Sequence, residues 1–233
     1  MKKFFAVTTV VAVAAVGSIT AIRAATTPPY GSVRGVVTLV GDSNIVFGSF
    51  YLNAFMTPSE AGYVPVYLAA GGAAIRWNGC LFGPCPDRAR TDYWATRIRQ
   101  ARESVDSDAY VVELGINDTF TPGGVTSRGY AFYGQKIDYI MQLLPRRRPV
   151  LWTTLPCRIE PPATQTGCNQ VNSALFAARS RWPNLTVANW GAVANTRPDY
   201  MIDPGRDVHY SVTGHVAYTR FVIAALNAKL PFE

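Results

Sequence analysis

Short apolar runs alternate along this chain with longer segments in which apolar residues recur every three or four positions. The runs, rich in valine and other aliphatic residues, predict strands buried on both faces, and the longer segments predict amphipathic helices. The predicted strands span residues 36–40, 64–70, 109–114, 149–154 and 185–189. The predicted helices span residues 45–55, 92–105, 127–144, 169–181 and 213–230.

This alternation of strands and helices is typical of an α/β domain. It predicts a parallel sheet of about five strands with helices on both faces and right-handed crossovers. Pro65 lies inside the second predicted strand, and a residue without an N–H group places that strand near an edge of the sheet. No linker, charge block or repeat divides the chain, so we expect a single domain over residues 26–233.

Residues 1–25 have the layout of a secretory signal peptide. Lys2 and Lys3 precede an apolar run over 4–16, and small or aliphatic residues lead to a predicted cleavage point after Ala24. An uncleaved amino-terminal anchor is the alternative, since Arg23 interrupts the pattern close to that point. The prediction is therefore a protein that is secreted or held in the cell envelope.

The formal net charge of +7 is partly carried by the predicted leader, which leaves a mildly basic domain. Such a surface suits an anionic cell envelope or a polyanionic glycan. The single basic run, residues 146–148, follows a predicted helix, where cations complement the helix dipole. We therefore expect no nucleic-acid partner.

All four cysteines lie in the predicted mature domain, within loop-like sequence. In an exported protein an even number of cysteines favours disulfides over a metal site, and neither local pair has zinc-ligand spacing. We favour two local bridges, Cys80 with Cys85 and Cys157 with Cys168, although other pairings stay open. No metal site is expected.

Polar residues follow several predicted strands. Gly41-Asp42-Ser43 comes after the first strand, Gly71-Gly72 after the second, and Gly115-Ile116-Asn117-Asp118 after the third. A further segment, Asp207-Val208-His209, leads into the last helix. Because parallel strands end at the same edge of a sheet, we expect these segments to meet there.

Ser43 is the candidate nucleophile, since it lies between a buried strand and the start of a helix. A serine hydroxyl needs a base within hydrogen-bond reach, and the chain has two histidines. We favour His209, which lies in a loop, over His215, which opens an apolar helix and suits capping or packing. Asp207 is the favoured carboxylate for orienting the imidazole, with Asp203 as the reserve.

Three donors are candidates for an oxyanion hole, which stabilises the charge that forms on an attacked ester carbonyl. They are the backbone N–H of Ser43, the backbone N–H of Gly72 and the side-chain amide of Asn117. Each also has a structural explanation, because Gly72 suits a turn and Asn117 suits a loop cap.

Taken in order, these segments resemble the four sequence blocks of the SGNH hydrolases, also called GDSL lipases or esterases. The resemblance covers nearly all of the predicted mature chain. It implies a flavodoxin-like three-layer α/β/α sandwich, Ser43 as nucleophile, His209 as base, an oxyanion hole of Ser43, Gly72 and Asn117, and no cofactor.

Two positions depart from the family pattern. The aspartate usually lies three residues before the histidine, where this chain has Arg206, so Asp207 must serve from two residues before. The second block leaves Gly71 and Gly72 as alternative donors, and Gly72 is favoured because residues 73–75 continue the family-like pattern.

The expected function is a secreted serine esterase that forms an acyl-enzyme on Ser43, acting on short acyl esters of a glycan or small molecule. Candidate partners are an acylated glycan, a lipid or a small ester. An acyltransferase to an envelope sugar and a non-catalytic glycan-binding module are the alternatives. Loop aromatic residues are candidates for a rim around the substrate: Trp77, Phe82, Phe120 and Tyr130.

Overall fold

The computed structural model describes residues 33–57, 60–75, 93–119, 129–158, 162–205 and 207–229. Five parallel strands form one sheet in the order β2-β1-β3-β4-β5. The bounds of each strand lie within one residue of the predicted range, because apolar runs set the buried length of a strand directly. The strands are β1 Gly35–Gly41, β2 Tyr63–Ala69, β3 Ala109–Glu113, β4 Val150–Thr153 and β5 Leu185–Ala188.

Helices connect the strands. The five long helices correspond to the predicted ones, and two short helices and a 3-10 turn follow β3 and β5, where the sequence predicted loops. The helices are α1 Ser43–Met56, α2 Tyr93–Ser104, α3 Ile116–Thr119, α4 Tyr130–Leu143, α5 Pro162–Ala178, α6 Trp190–Ala194 and α7 Val212–Asn227, and the 3-10 turn spans Pro198–Tyr200.

The start of α5 corrects two sequence predictions. The helix begins at Pro162, about two turns before the predicted residue 169, and it contains Cys168, which we expected in a loop. Proline suits the first position of a helix, where its missing N–H would have no partner within the helix, so it opens this helix instead of preventing it. Cys168 forms a disulfide with Cys157, which is the predicted local pairing.

The sheet has a helix layer on each face. One buried cluster lies between the sheet and α2, α4 and α5, and includes Trp94, Ile137 and Val171. The other lies between the sheet and α1, α6 and α7, and includes Ile45 and Val222. This arrangement is the predicted three-layer α/β/α sandwich.

The central strand β1 is buried along its whole length. It pairs with β2 on one side and β3 on the other, and Gly41 lies opposite Ala69 and Glu113. The three strands therefore end at the same level, so the polar segments that follow them begin side by side. β2 is an edge strand, as Pro65 predicted.

Two predictions concern residues outside the described ranges, namely the signal peptide and the bridge between Cys80 and Cys85. Arg206, which occupies the usual position of the family's aspartate, also lies outside them. Within the ranges given above, no helix is both long and apolar enough to cross a membrane.

Candidate active site

Ser43 is placed by a sharp change from strand to helix. β1 ends at Gly41, where an added Cβ would lie 2.2 Å from Cγ1 of Ile45, so only glycine allows this close approach. Asp42 then caps α1, because its Oδ1 accepts the backbone N–H of Asn44 at 3.0 Å. Ser43 is the first residue of the helix and lies at the carboxyl edge of the sheet.

Ser43, His209 and Asp207 form a hydrogen-bonded chain. Oγ of Ser43 lies 2.9 Å from Nε2 of His209, and Nδ1 of His209 lies 2.7 Å from Oδ1 of Asp207. The serine is buried, whereas the side chains of the histidine and the aspartate are each 31% exposed. The triad thus opens to solvent on the side of the base.

Asp207, two residues before His209, bonds to the imidazole directly, and the side chain of Asp203 is not needed for this contact. Oδ1 of Asp207 accepts both the ring N–H of His209 and, at 3.0 Å, its backbone N–H. Asp203 contributes its backbone carbonyl, which accepts the N–H of Asp207 at 2.9 Å. This tight turn brings the Asp207 carboxylate against the imidazole.

A turn after β2 carries Gly72. The N–H of Ala73 donates to the carbonyl of Ala70 at 3.1 Å, and Gly72 occupies the third position of the turn with φ of +73°. This backbone conformation favours glycine, so the turn accounts for Gly72 whether or not its N–H also binds an oxyanion. Gly71 is exposed, and a Cβ added to it would have no atom within 4 Å.

Asn117 is bonded to the segments that carry the other two candidate oxyanion donors. Its Nδ2 donates to the carbonyl of Ala73 at 2.9 Å and to Oδ2 of Asp42 at 3.2 Å. Those acceptors belong to the residues that follow Gly72 and precede Ser43 in the sequence, so the amide is bonded to both segments that carry the backbone donors. Because both amide hydrogens already have acceptors, bonding to an oxyanion requires the longer bond, to Asp42, to be exchanged or shared.

Two buried acids lie behind the nucleophile. Burial raises the pKa of Asp42 to about 7, and the charge of Asp118 adds to the effect. Burial and the charge of Asp42 likewise raise the pKa of Glu113 well above its ordinary value, although Tyr210 donates to its Oε1 at 2.6 Å. Oε2 of Glu113 has no partner in the described part of the chain. The two carboxyls therefore resist carrying full charge together.

His215 packs in the protein instead of facing the nucleophile. It is buried, and its ring stacks on Tyr51 with centroids 5.7 Å apart. Burial, with a smaller contribution from His209, lowers its pKa to about 4. This side chain is neutral at neutral pH, and its role in packing agrees with the sequence interpretation.

The structure adds residues that the sequence did not single out. Phe47, one turn after Ser43, places its ring edge-on to His209 at 5.4 Å and is 56% exposed. Glu113 ends the apolar strand β3, and a single acidic residue in an apolar run is the sequence feature that could have identified it. Of the predicted aromatic rim, Tyr130 is exposed at the start of α4, and the other residues fall outside the described ranges: Trp77, Phe82 and Phe120.

This geometry suits activation of a serine hydroxyl. A neutral imidazole can accept the Ser43 proton at Nε2 while its Nδ1–H donates to Asp207, which also stabilises the imidazolium that forms. Within the described ranges, no group of histidine, cysteine and acidic side chains has the arrangement of a metal site.

Solved structures with a similar fold include esterases, lipases and an acetyltransferase domain. One is the C-terminal catalytic domain of peptidoglycan O-acetyltransferase A from Streptococcus pneumoniae, at 14% identity and a TM-score of 0.58, covering 85% of this chain and 94% of that one. Another is a carbohydrate esterase family 2 enzyme with its carbohydrate binding domain from Corynascus thermopiles, at 18% identity and 0.58, covering 88% and 69%.

A third is a member of the lipolytic protein G-D-S-L family from Veillonella parvula, at 12% identity and a TM-score of 0.54, covering 83% of this chain and 96% of that one. No family model matches the chain, and no curated protein matches its sequence significantly. The structural matches show that the chain has the SGNH hydrolase fold. The resemblance in the sequence is thus confirmed at the level of the fold.

Proposed function

We propose that this protein is a serine esterase of the SGNH type that hydrolyses acyl esters through an acyl-enzyme on Ser43. The contact of 2.9 Å between Ser43 Oγ and His209 Nε2 carries this proposal, because it gives a buried hydroxyl a base at hydrogen-bond distance. The fold, shared with esterases, lipases and an acetyltransferase domain, supports acyl chemistry in general.

The reaction proceeds in two halves. His209 takes the Ser43 proton as Oγ attacks the ester carbonyl, and the imidazolium then gives that proton to the leaving alcohol as the acyl-enzyme forms. Water, deprotonated by His209, attacks the acyl-enzyme, and the imidazolium returns that proton to Ser43 Oγ as the bond to the acyl carbon breaks and the carboxylic acid leaves. Asp207 keeps the imidazole in the tautomer with hydrogen on Nδ1.

The predicted oxyanion hole remains part of this proposal. The N–H groups of Ser43 and Gly72 would bind the carbonyl oxygen as it gains charge, together with the Asn117 amide. The bonds of Asn117 to Asp42 and to Ala73 support this assignment, since they attach the amide to the residues next to the two backbone donors.

A short acyl ester on a glycan or small molecule is the proposed substrate class. Exposed Phe47 beside His209 offers an apolar face for the acyl group or for the face of a sugar. Similarity to a carbohydrate esterase and to a peptidoglycan O-acetyltransferase domain favours acylated sugars over long-chain lipids.

Export is also part of the proposal. The disulfide between Cys157 and Cys168 suits an oxidising compartment, in keeping with the signal-peptide layout of residues 1–25 and with association at the cell envelope.

The test is hydrolysis of p-nitrophenyl esters from acetate to palmitate by the native protein and by Ser43→Ala. We expect a preference for short chains, and loss of activity in a folded Ser43→Ala variant. Hydrolysis that survives in that variant, or a folded native protein that cleaves no ester, contradicts the proposal.

Acyl transfer to an envelope sugar is the second candidate, favoured by similarity to the O-acetyltransferase domain. Oligosaccharide acceptors added to the same assay distinguish the two: transfer predicts an acylated sugar and less free acid. The contact between Ser43 and His209 argues against a non-catalytic glycan-binding module, because binding a glycan does not require a serine paired with a base.

A further inference from the structure

Asn44, which follows the candidate nucleophile in α1, reaches the segment that carries His209. Its Nδ2 donates to the carbonyl of Val208 at 3.1 Å, and its Oδ1 accepts the N–H of Tyr210 at 3.1 Å. The orientation of the amide is fixed by these partners, since a carbonyl only accepts and an N–H only donates. Asn44 is 4% exposed.

The two partners of Asn44 are the residues on either side of His209. One side-chain amide thus holds the backbone before and after the base, in the way that a neighbouring strand would. His209 and Ser43 are 166 residues apart in sequence, so nothing in local structure sets their distance.

Other bonds hold the His209 segment to different parts of the molecule. The carbonyl of His209 accepts the N–H of Ile202 at 3.0 Å, and the Tyr210 hydroxyl binds Glu113 on β3. The bonds from Asn44 differ, because they come from the helix that carries Ser43. Displacement of the backbone around His209 relative to α1 would break them.

We propose that Asn44 is a positioning residue, whose paired hydrogen bonds to Val208 and Tyr210 hold His209 at bonding distance from Ser43. This inference rests on the proposed esterase function, in which His209 is the base. A buried donor and acceptor on one short side chain are both needed, so an apolar or acidic side chain cannot replace the amide at neutral pH.

The first test compares Asn44→Leu with a matched control, Asn184→Leu. Asn184 also binds two backbone carbonyls, those of Arg148 and Pro145, but it lies before β5, at the opposite edge of the sheet. With p-nitrophenyl acetate and enzyme counted by active-site titration, Asn44→Leu should lower kcat about a hundredfold, as expected of a misplaced catalytic group. KM should change little, and Asn184→Leu should keep kcat within about twofold of the native value.

A double-mutant cycle with His209→Ala tests whether Asn44 acts through the histidine. In that background, with activity supplied by added imidazole, Asn44→Leu should cause less than about a threefold further loss. An equal loss in both backgrounds contradicts the proposal, as does native kcat in Asn44→Leu or an equal loss in Asn184→Leu.

Asn44→Asp provides a second variant if Asn44→Leu does not fold. Its carboxylate keeps the acceptor for Tyr210 but loses the donor for Val208, and protonation restores that donor. The kcat of Asn44→Asp relative to the native protein should therefore rise as the pH falls. A ratio that does not change with pH contradicts the proposal.

One readout does not depend on turnover. In protein labelled with ¹⁵N-histidine, the His209 ring signals should shift in an Asn44 variant and stay unchanged in Asn184→Leu. If the native protein proves inactive, the esterase proposal fails, and unshifted His209 signals would separately refute the positioning role.

Discussion

The two histidines of this chain lie six residues apart and have opposite surroundings. Both nitrogens of His209 have polar partners, Ser43 and Asp207, and its side chain is partly open to solvent. His215, on α7, is buried against Tyr51, and its Nδ1 has no partner in the described residues. The same imidazole is therefore arranged for proton transfer in one place and for packing in the other.

The comparison shows that partners, and not residue type, determine which histidine can act as a base. A carboxylate next to Nδ1 of His209 favours the tautomer with hydrogen on that nitrogen, which leaves Nε2 as the acceptor facing the Ser43 hydroxyl. At His215, burial disfavours the charged form and lowers the pKa to about 4, so this ring does not take up a proton in the neutral range.

Removing each histidine in turn gives the largest expected difference. We expect His209→Ala to lower kcat with p-nitrophenyl acetate on the order of 10⁴-fold, because the serine loses its base. His215→Phe keeps an aromatic ring beside Tyr51 and should leave kcat within about threefold. Similar losses in the two folded variants would contradict the assignment of His209 as the base.

A smaller but still large effect is expected at the carboxylate partner. Asp207→Asn should lower kcat about 10³-fold, because the amide no longer stabilises the imidazolium or selects its tautomer. Asp203→Asn is the control, since Asp203 meets this turn through its backbone carbonyl. Steady-state kinetics decide the matter, and a greater loss in Asp203→Asn would make Asp203 the orienting acid.

The smallest effect concerns stability at His215. Its pKa is lowered from 6.5 to about 4, so between these values the unfolded chain binds a proton that the folded protein does not. Protonation of His215 therefore does not affect the free energy of unfolding above pH 6.5. Below that pH it lowers the free energy of unfolding, and the loss grows as the pH falls towards 4.

Urea unfolding at a series of pH values measures this loss. The difference in unfolding free energy between the native protein and His215→Phe should move in favour of the variant as the pH falls from 6.5 to 4. A difference that stays constant over this interval would show that His215 titrates normally in the fold.

The sequence predicted the strands closely because their signal is local. The edge position of β2 followed from Pro65, and the central position of β1 agrees with its β-branched run. The predicted start of α5 is wrong because Pro162 lies in sequence typical of a loop, although proline also suits the first turn of a helix.

The sequence indicated the residues of the candidate site, but not the contacts that hold those residues in place. Ser43, His209 and Asp207 stand out because polar residues follow apolar strands or lead into a helix. The contacts of Tyr210 with Glu113 and Asn44 join positions 97 and 166 residues apart, and no periodicity in one sequence records such a distance. Burial of Asp42, which raises its pKa, likewise depends on packing by the whole domain.

The most direct test of the central claim is covalent labelling with a fluorophosphonate, followed by mass spectrometry of the digested protein. An activated serine should give one adduct per chain, on Ser43, formed at similar rates in the native protein and in His215→Phe, and far more slowly in His209→Ala. A folded native protein that forms no adduct, or an adduct that persists in Ser43→Ala, would contradict the account of Ser43 as a nucleophile activated by His209.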